Sequence, residues 1–351
     1  MGSFCKFDEG LKISKKISII IVTANREKLF AKCLASLVAA VDQTDSAAAG
    51  FEFLIVINGP GNASREIAAA LLAERNYSII ELPHSLHPGA ARNRAIDIVS
   101  GDWIFFADDD IFIDKYFFQH FSDLCSRRDG FSVMGGPNLT PPTSNSFQEL
   151  SGHVLTSYFT SFHCAQRYHL AEEKTDTDDS ALTLCNLFVK KSALSTSRFS
   201  NSLVCAEENL LLTELAGKGH RFLTHPDLKA FHERRNTLKT FVSQISKYGR
   251  GRGQLVFRRQ ARWFHFVPFV CGVALLGAVL IPSMRAAVIA LSLLYVILLF
   301  FSAHRIITIH RRTQWDLAKI AFLIIAVHLN YGVGFCLGML SGLRRRRHGI
   351  L

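Results

Sequence analysis

The chain has 351 residues, 49% hydrophobic and 20% charged, which gives room for one large domain and a smaller appendage. Its formal net charge of +11 is local: between His232 and Trp263 nine Lys or Arg residues face a single acid, Glu233, and Arg344, Arg345, Arg346 and Arg347 add four more. Positive charge that brackets apolar runs suits an anionic membrane surface and argues against nucleic-acid binding, which usually spreads its basic stripe over the folded domain.

Met1 to Lys16 lacks the apolar core and cleavage site of a signal peptide, so the first domain is expected in the cytosol. Ile17 to Val22 (ISIIIV) is short, apolar and β-branched, the pattern of a buried parallel strand. Arg26 to Val41 has helical spacing, with Leu29, Phe30, Cys33, Leu34, Leu37 and Val38 on one face. Phe51 to Ile57 reads as a second strand, Arg65 to Arg75 as a helix and Tyr77 to Leu82 as a third strand. Pro88 to Val99 reads as a helix and Trp103 to Ala107 as a fourth strand, which runs into Asp108-Asp109-Asp110. This alternation predicts an α/β fold with a parallel sheet, whose ligands sit at the carboxyl ends of the strands, where Asn25, Asn58 and the Asp triplet lie.

After Gly130 the pattern loosens. Gly135-Gly136-Pro137 and Pro141-Pro142 mark turns, and Thr175 to Ser180 is expected as a mobile polar loop. Leu182 to Val189 predicts a strand and Asn209 to Ala216 a helix ending at Gly217 or Gly219. Eight cysteines (Cys5, Cys33, Cys125, Cys164, Cys185, Cys205, Cys271 and Cys336) form no C-x-x-C pair and no zinc spacing, so they are expected as buried thiols of a reducing compartment.

Three apolar runs follow, 264–281, 286–303 and 320–340, each spanning roughly 27–32 Å as a helix. Positive-inside reasoning places the Arg250 to Arg262 cluster and the Arg305 to Lys319 loop in the cytosol, so runs one and two make a hairpin. A full third crossing would then put the Arg344 to Arg347 tail outside. A third run that re-enters, or breaks at Gly332, Gly334 and Gly338, would keep the tail in the cytosol.

Three adjacent carboxylates at the end of an apolar strand repel one another unless a cation neutralises them. Hard oxygen ligands favour Mg²⁺ or Mn²⁺, which would bridge a diphosphate and stabilise it as a leaving group. A solvated acidic turn is the competing reading.

The stretches His87 to Ile96 (HPGAARNRAI), Ser100-Gly101-Asp102-Trp103 and Phe106 to Asp110 (FADDD), in this order, resemble the core of family 2 glycosyltransferases. Ile17 to Arg26 resembles that family's first strand and nucleotide loop, and Leu54 to Gly59 its second, with Ile57 where many members carry aspartate. The resemblance covers Lys16 to Arg235 and implies a GT-A (Rossmann-like) domain at 17–235, after an N-terminal tail at 1–16. A basic interfacial segment at 236–263, a membrane helical region at 264–343 and a basic tail at 344–351 complete the chain.

The same resemblance implies roles at matching positions. Thr23, Asn25, Asn58 and Arg92 would line the nucleotide pocket, Asp108 would face ribose and metal, and Asp110 would hold the metal with His232. The acid pair Glu207-Glu208 would supply the base; the register counted back from Gly219 selects Glu208, with Glu207 as rival. Helix capping by acids is the other reading of this pair. Asn186 and Arg235 would lie on the acceptor side, and Arg234 or Arg235 would neutralise phosphate. The stretches Lys247 to Gln254 and His328 to Phe335 resemble membrane glycosyltransferases of bacterial exopolysaccharide assembly, of the succinoglycan type. Arg259 to Trp263 fits the R/Q-x-x-R-W pattern of processive synthases, or a plain interface anchor.

The implied activity is inverting, metal-dependent transfer from a nucleotide-sugar donor to a lipid-linked or glycan acceptor. The catalytic domain would sit on the cytoplasmic face of the inner membrane. A polyprenyl-phosphate glycosyltransferase and a processive synthase are the alternatives.

Overall fold

The computed structural model describes residues 15–44, 50–60, 63–169, 172–258 and 261–347. Arg259, Gln260, Cys5, Gly61 and most of the N-terminal tail therefore lie outside the described residues. The first half alternates strictly: β1 (Ile17–Thr23), α1 (Glu27–Gln43), β2 (Phe51–Asn58), α2 (Ser64–Leu71), β3 (Tyr77–Leu82), α3 (Pro88–Ile96) and β4 (Trp103–Asp108). The four strands stand in the parallel order β3-β2-β1-β4. The chain therefore builds outward from β1 in one direction and then crosses to its other side. That reversal opens a crevice at the carboxyl ends of β1 and β4.

Beyond β4 come β5 (Ile111–Ile113), α4 (Phe117–Arg127), β6 (Phe131–Gly135), β7 (Asn138–Leu139), α5 (Ser146–Leu155), α6 (Tyr158–Ser161), β8 (Lys174–Thr175), β9 (Asn186–Lys190), α7 (Glu207–Gly217), β10 (Arg221–Thr224) and β11 (Ala230–His232). β9 joins β4 antiparallel, and the eight-stranded sheet continues β9-β6-β10-β8, so it is mixed rather than wholly parallel. A small second sheet, β5-β11-β7, sits beside it.

Side chains of β4 alternate between two cores. Trp103, Phe105 and Ala107 pack with Phe30, Phe117, Phe118 and Phe121 of α1 and α4, whereas Ile104 and Phe106 pack with Ala91, Ala95 and Leu211 of α3 and α7. The period of two then turns Asp108 towards α3 and α7, and this decides its partners.

The expected mobile loop at 175–180 is tied down: Asp178 and Asp179 take Arg262, and Asp179 also takes Arg252 at 3.5 Å. Among the described cysteines, Cys33, Cys125 and Cys185 are buried as expected, but Cys271 is exposed. Burial pushes the Cys125 thiol up to about 11.

Past β11 run α8 (Leu238–Leu255), α9 (Val267–Leu280), α10 (Arg285–Ile309) and α11 (Asp316–Arg347). Two helices, not three, are long and apolar enough to cross a membrane among the described residues: Pro282–Ile309 and Asp316–Arg344. The first apolar run opens on a single helical turn at Trp263–Phe266 and continues as the 14-residue α9, roughly 21 Å long. The third run is one continuous helix, unbroken at its glycines. A Cβ on Gly249 would lie 2.2 Å from the carbonyl oxygen of Tyr331, and one on Gly334 would lie 2.1 Å from that of Ser246. Gly253 and Gly338 repeat the contact one turn on. Small residues at i and i+4 on both helices thus let α8 and α11 touch backbone to backbone.

Candidate active site

The turn after β4 carries the charge. Asp108 is one-third exposed, while Asp109 and Asp110 are each only 4% exposed. β11 pairs antiparallel with β5 so that His232 lies opposite Ile111, and His232 Nε2 meets Asp110 Oδ1 at 2.9 Å. Asp108, Asp110 and His232 each offer a ligand atom within 4.8 Å of one another. Two carboxylates and an imidazole form a donor set that suits Mn²⁺ or Mg²⁺.

Arg26, the residue before α1, meets this cluster with its guanidinium, 3.0 Å from Asp109 and in direct contact with Asp110. Arg235 lies 4.0 Å from Asp110. Burial opposes the charge on Asp110, but His232, Arg26 and Arg235 outweigh it and hold the carboxyl well below the usual range. For Asp109, burial wins over Arg26, and the group is pushed up to about 6. The site thus demands positive charge, which Arg26 and Arg235 supply here.

His232 Nδ1 faces Asn138 Nδ2 at 3.3 Å, and Asn138 Oδ1 is buried without a hydrogen-bond partner. Amide orientation and imidazole tautomer are linked. With Nδ2 turned to Nδ1, the ring proton sits on Nε2 and serves Asp110. With Oδ1 turned to Nδ1, the proton moves there and Nε2 is free to coordinate a cation. The residues present therefore fit a divalent metal, with Asn138 selecting the tautomer.

Arg92 of α3 ties the metal side to the acid pair. Its Nη2 donates to Asp108 Oδ1 at 2.8 Å and its Nη1 to Glu207 Oε1 at 2.9 Å. Glu207 is 5% exposed. Burial and the charge of Glu208 raise its pKa, with Arg92 opposing. The side chain of Glu208, next on α7, is partly exposed and makes no ion pair or hydrogen bond among the described residues, though its charge attracts that of buried Arg167. The helix is entered through Ala206 in a left-handed conformation (φ 66°), an uncommon backbone for a residue with a Cβ.

Other expected site residues are placed as follows. Thr23 is buried, and its hydroxyl donates to Asp109 Oδ2 at 2.9 Å, so it positions the acidic turn. Asn25 is exposed at φ 53°, a left-handed turn that asparagine tolerates. Asn58 gives both its polar atoms to Leu86, at 3.0 and 2.8 Å, and so pins β2 to the loop before α3. Asn186 sits opposite Ala107, next to the acidic turn, but is wholly buried and bonded to the Leu228 carbonyl. Arg235 faces the acids, whereas Arg234 is buried with its Nη2 on the Asn138 carbonyl at 2.7 Å. Sequence reasoning missed Arg26 and Asn138. Arg26 had a signal in its place just after a strand-ending turn; Asn138 had none.

This is the GT-A architecture, with acids at the switch point of a Rossmann-like sheet. Residues 18–147 match the family described as Glycosyl transferase family 2. No curated protein matches the chain. Among solved structures, the chain is similar to the mannosyltransferase PcManGT from Pyrobaculum calidifontis in complex with GDP-Man and Mn2+. That match has 13% identity over 91% of this chain and 87% of that one, with a TM-score of 0.54. It is also similar to S. aureus TarS 1-349 in complex with UDP-GlcNAc, at 14% identity over 95% and 92% of the two chains, with a TM-score of 0.52. The structural likenesses show the fold; together with the family match they support a glycosyltransferase.

Proposed function

We propose that the chain is an inverting, metal-dependent glycosyltransferase that moves a sugar from a nucleotide-sugar donor to an acceptor held at a membrane surface. The observation that carries this reading is the convergence of Asp108, Asp110 and His232 at the carboxyl end of a central strand. Mg²⁺ or Mn²⁺ held there would draw charge from a diphosphate leaving group. Asp108 and Arg92 stand at the donor side, and Arg235 adds positive charge beside the acids. Glu208, which no ion pair or side-chain hydrogen bond engages among the described residues, takes the proton from the acceptor hydroxyl. Glu207, held by Arg92, orients the start of α7.

The complexes of the similar proteins, with GDP-Man and with UDP-GlcNAc, support a nucleotide-sugar donor. The two long apolar helices support a membrane-held acceptor; we read that acceptor as polyprenyl-linked, in cell-surface polysaccharide assembly, with catalysis on the cytoplasmic face of the inner membrane. A polyprenyl-phosphate acceptor remains a second reading on the same observations. A processive synthase needs more helices to enclose a polymer channel than the two found among the described residues.

The test is a donor panel offered to the full chain in membranes, with release of nucleoside diphosphate as the readout. Metal-dependent release from one donor, with an inverted anomeric product, is the expected result. Silence across the panel, or full activity in excess chelator, overturns the reading.

A further inference from the structure

The helix α11 passes the length and composition test for a membrane span, yet its surroundings do not fit one. Of its most apolar 18 residues 44% are buried against protein, compared with 17% for α10. Its first half packs Ile320 and Ile324 into one cluster with Val154 of α5, Phe241 of α8, and Leu299 and Ile306 from the second half of α10. Its second half lies on α8 through the paired glycines. The contacts advance together, Ser246 with Gly334 and Arg250 with Gly338, so the two helices run parallel along this length.

α8 is itself fastened to the transferase domain. A Cβ on Gly251 would lie 2.8 Å from the Cys205 carbonyl, and Arg252 reaches Asp179 at 3.5 Å. Any crossing by α11 would drag α8, and the domain behind it, into the hydrocarbon. Lys239, Lys247 and Arg250 of α8 make no ion pair among the described residues, so immersion would strand their charges.

What α11 leaves uncovered is one stripe: Phe322, Leu329, Val333, Leu337 and Leu340 are 50–64% exposed and recur at helical spacing. An open groove of about 340 Å³ joins that stripe to the α8 cations, lined by Lys239, Lys247, Arg250, Asn330 and Leu337 among others. α9 and the first half of α10 form an exposed apolar hairpin, while the second half of α10 packs on α11. Phe266, just before α9, packs its ring on Phe335 at 5.3 Å, and Tyr295 of α10 shares a hydrogen bond with His328 at 3.0 Å.

We propose that α11 lies along the bilayer surface instead of crossing it, with its apolar stripe at the headgroup–acyl boundary and the groove cations of α8 on the phosphates of anionic phospholipids. An apolar face flanked by cations is the pattern of an in-plane helix. The C-terminal end then stays on the same side as the catalytic domain, and only α9 and the first half of α10 enter the hydrocarbon. This inference rests on the membrane reading above and fixes how the site is held to the surface.

The experiment uses the full chain, C271S and C336S, reconstituted in phosphatidylcholine vesicles with and without phosphatidylglycerol. A fluorophore is placed at L337C or, separately, at I297C, and quenched by lipids spin-labelled near the headgroup or deep in the acyl chain. Leu337→Cys should be quenched several-fold more by the shallow label, and more so with phosphatidylglycerol, while Ile297→Cys should prefer the deep label. K239Q/K247Q/R250Q should remove the phosphatidylglycerol effect at position 337 and leave position 297 unchanged. N- and C-terminal tags should be cleaved from the same face. Deep quenching at 337, or tags on opposite faces, overturns the proposal, as does quenching at 297 with none at 337. No quenching at either position would also overturn the membrane reading.

Discussion

Arg92 Nη1 donates to Glu207 Oε1 at 2.9 Å, so the first acid of the pair is engaged while the second is not. Neighbours on a helix point about 100° apart, and this contact turns Glu207 towards α3 and Asp108. Glu208→Gln should therefore cut turnover by about 10²–10⁴-fold with donor affinity nearly unchanged. Glu207→Ala should instead lower stability by about 1–3 kcal/mol, since it leaves Nη1 of buried Arg92 without its acceptor while Nη2 keeps Asp108. Steady-state kinetics and thermal unfolding of both variants separate the roles. A dead Glu207→Gln beside an active Glu208→Gln would exchange the assignments.

Asp110 is buried and bonded to His232, so truncation would disturb the fold as well as the site. Asp110→Asn keeps the shape and should lower metal-dependent transfer by at least about 100-fold, because a metal supplies several kcal/mol of leaving-group stabilisation. Excess chelator should silence the wild type, and Mg²⁺ or Mn²⁺ should restore it. Retained activity in Asp110→Asn would remove this carboxylate from the metal site.

Asn138→Ala should weaken Mn²⁺ binding by about 10–100-fold, the range for residues that orient a metal-bound imidazole. Calorimetric titration of the purified chain reads this without any assay of transfer. Unchanged affinity would mean that His232 finds its tautomer unaided.

His153 of α5 stacks on His310 at 3.8 Å, where the transferase domain meets the end of α10. Burial, with His310 and Arg312 adding to it, lowers its pKa to about 4. Glu149, paired with Arg312 at 2.8 Å, is the nearby acid. The unfolded chain binds this proton from about pH 6.5 downward and the folded chain only near 4, so stability from this group is full above pH 6.5 and is lost as pH falls towards 4. The drop in unfolding temperature between pH 7 and pH 4.5, taken here as about the ends of that window, should be smaller in His153→Leu. Carboxylates common to both proteins cancel in that difference.

Gly253→Leu should detach α11 from α8, since a Cβ there would lie 2.2 Å from the Phe335 carbonyl oxygen. The cost should be about 1–3 kcal/mol or more, with faster proteolysis near α11. Gly217→Ala, which meets nothing within 4 Å, is the control and should be silent.

Much of the first half could be read from the sequence. Local pattern carries it: β-branched apolar runs, a 3.6-residue stripe on α1 and turn residues between them fixed the alternation and put the acids at strand ends. The Asp108-Asp109-Asp110 triplet, the acid pair and His232 were visible as residue types in order. Their division of labour was not. Whether Asp108 faces Arg92 depends on the pleat of β4, whether His232 meets Asp110 depends on the β5–β11 register, and whether Thr23 and Asn58 touch ligand or backbone depends on neighbours far along the chain. Asn138 had no local signal at all.

The C-terminal helices show the same limit in another form. Hydropathy is a sum along one segment, and it marked 320–340 as long and apolar enough to cross a membrane. It holds no record of what packs beside that segment. Two of the glycines that read as possible breaks in α11, Gly334 and Gly338, are the surface on which α8 lies, a fact set by a second helix some 85 residues earlier in the chain. Sequence by itself determined which segments are apolar, helical and acidic. Only the tertiary structure decided which of their faces meet protein, because burial is a property of pairs of elements and not of either one alone.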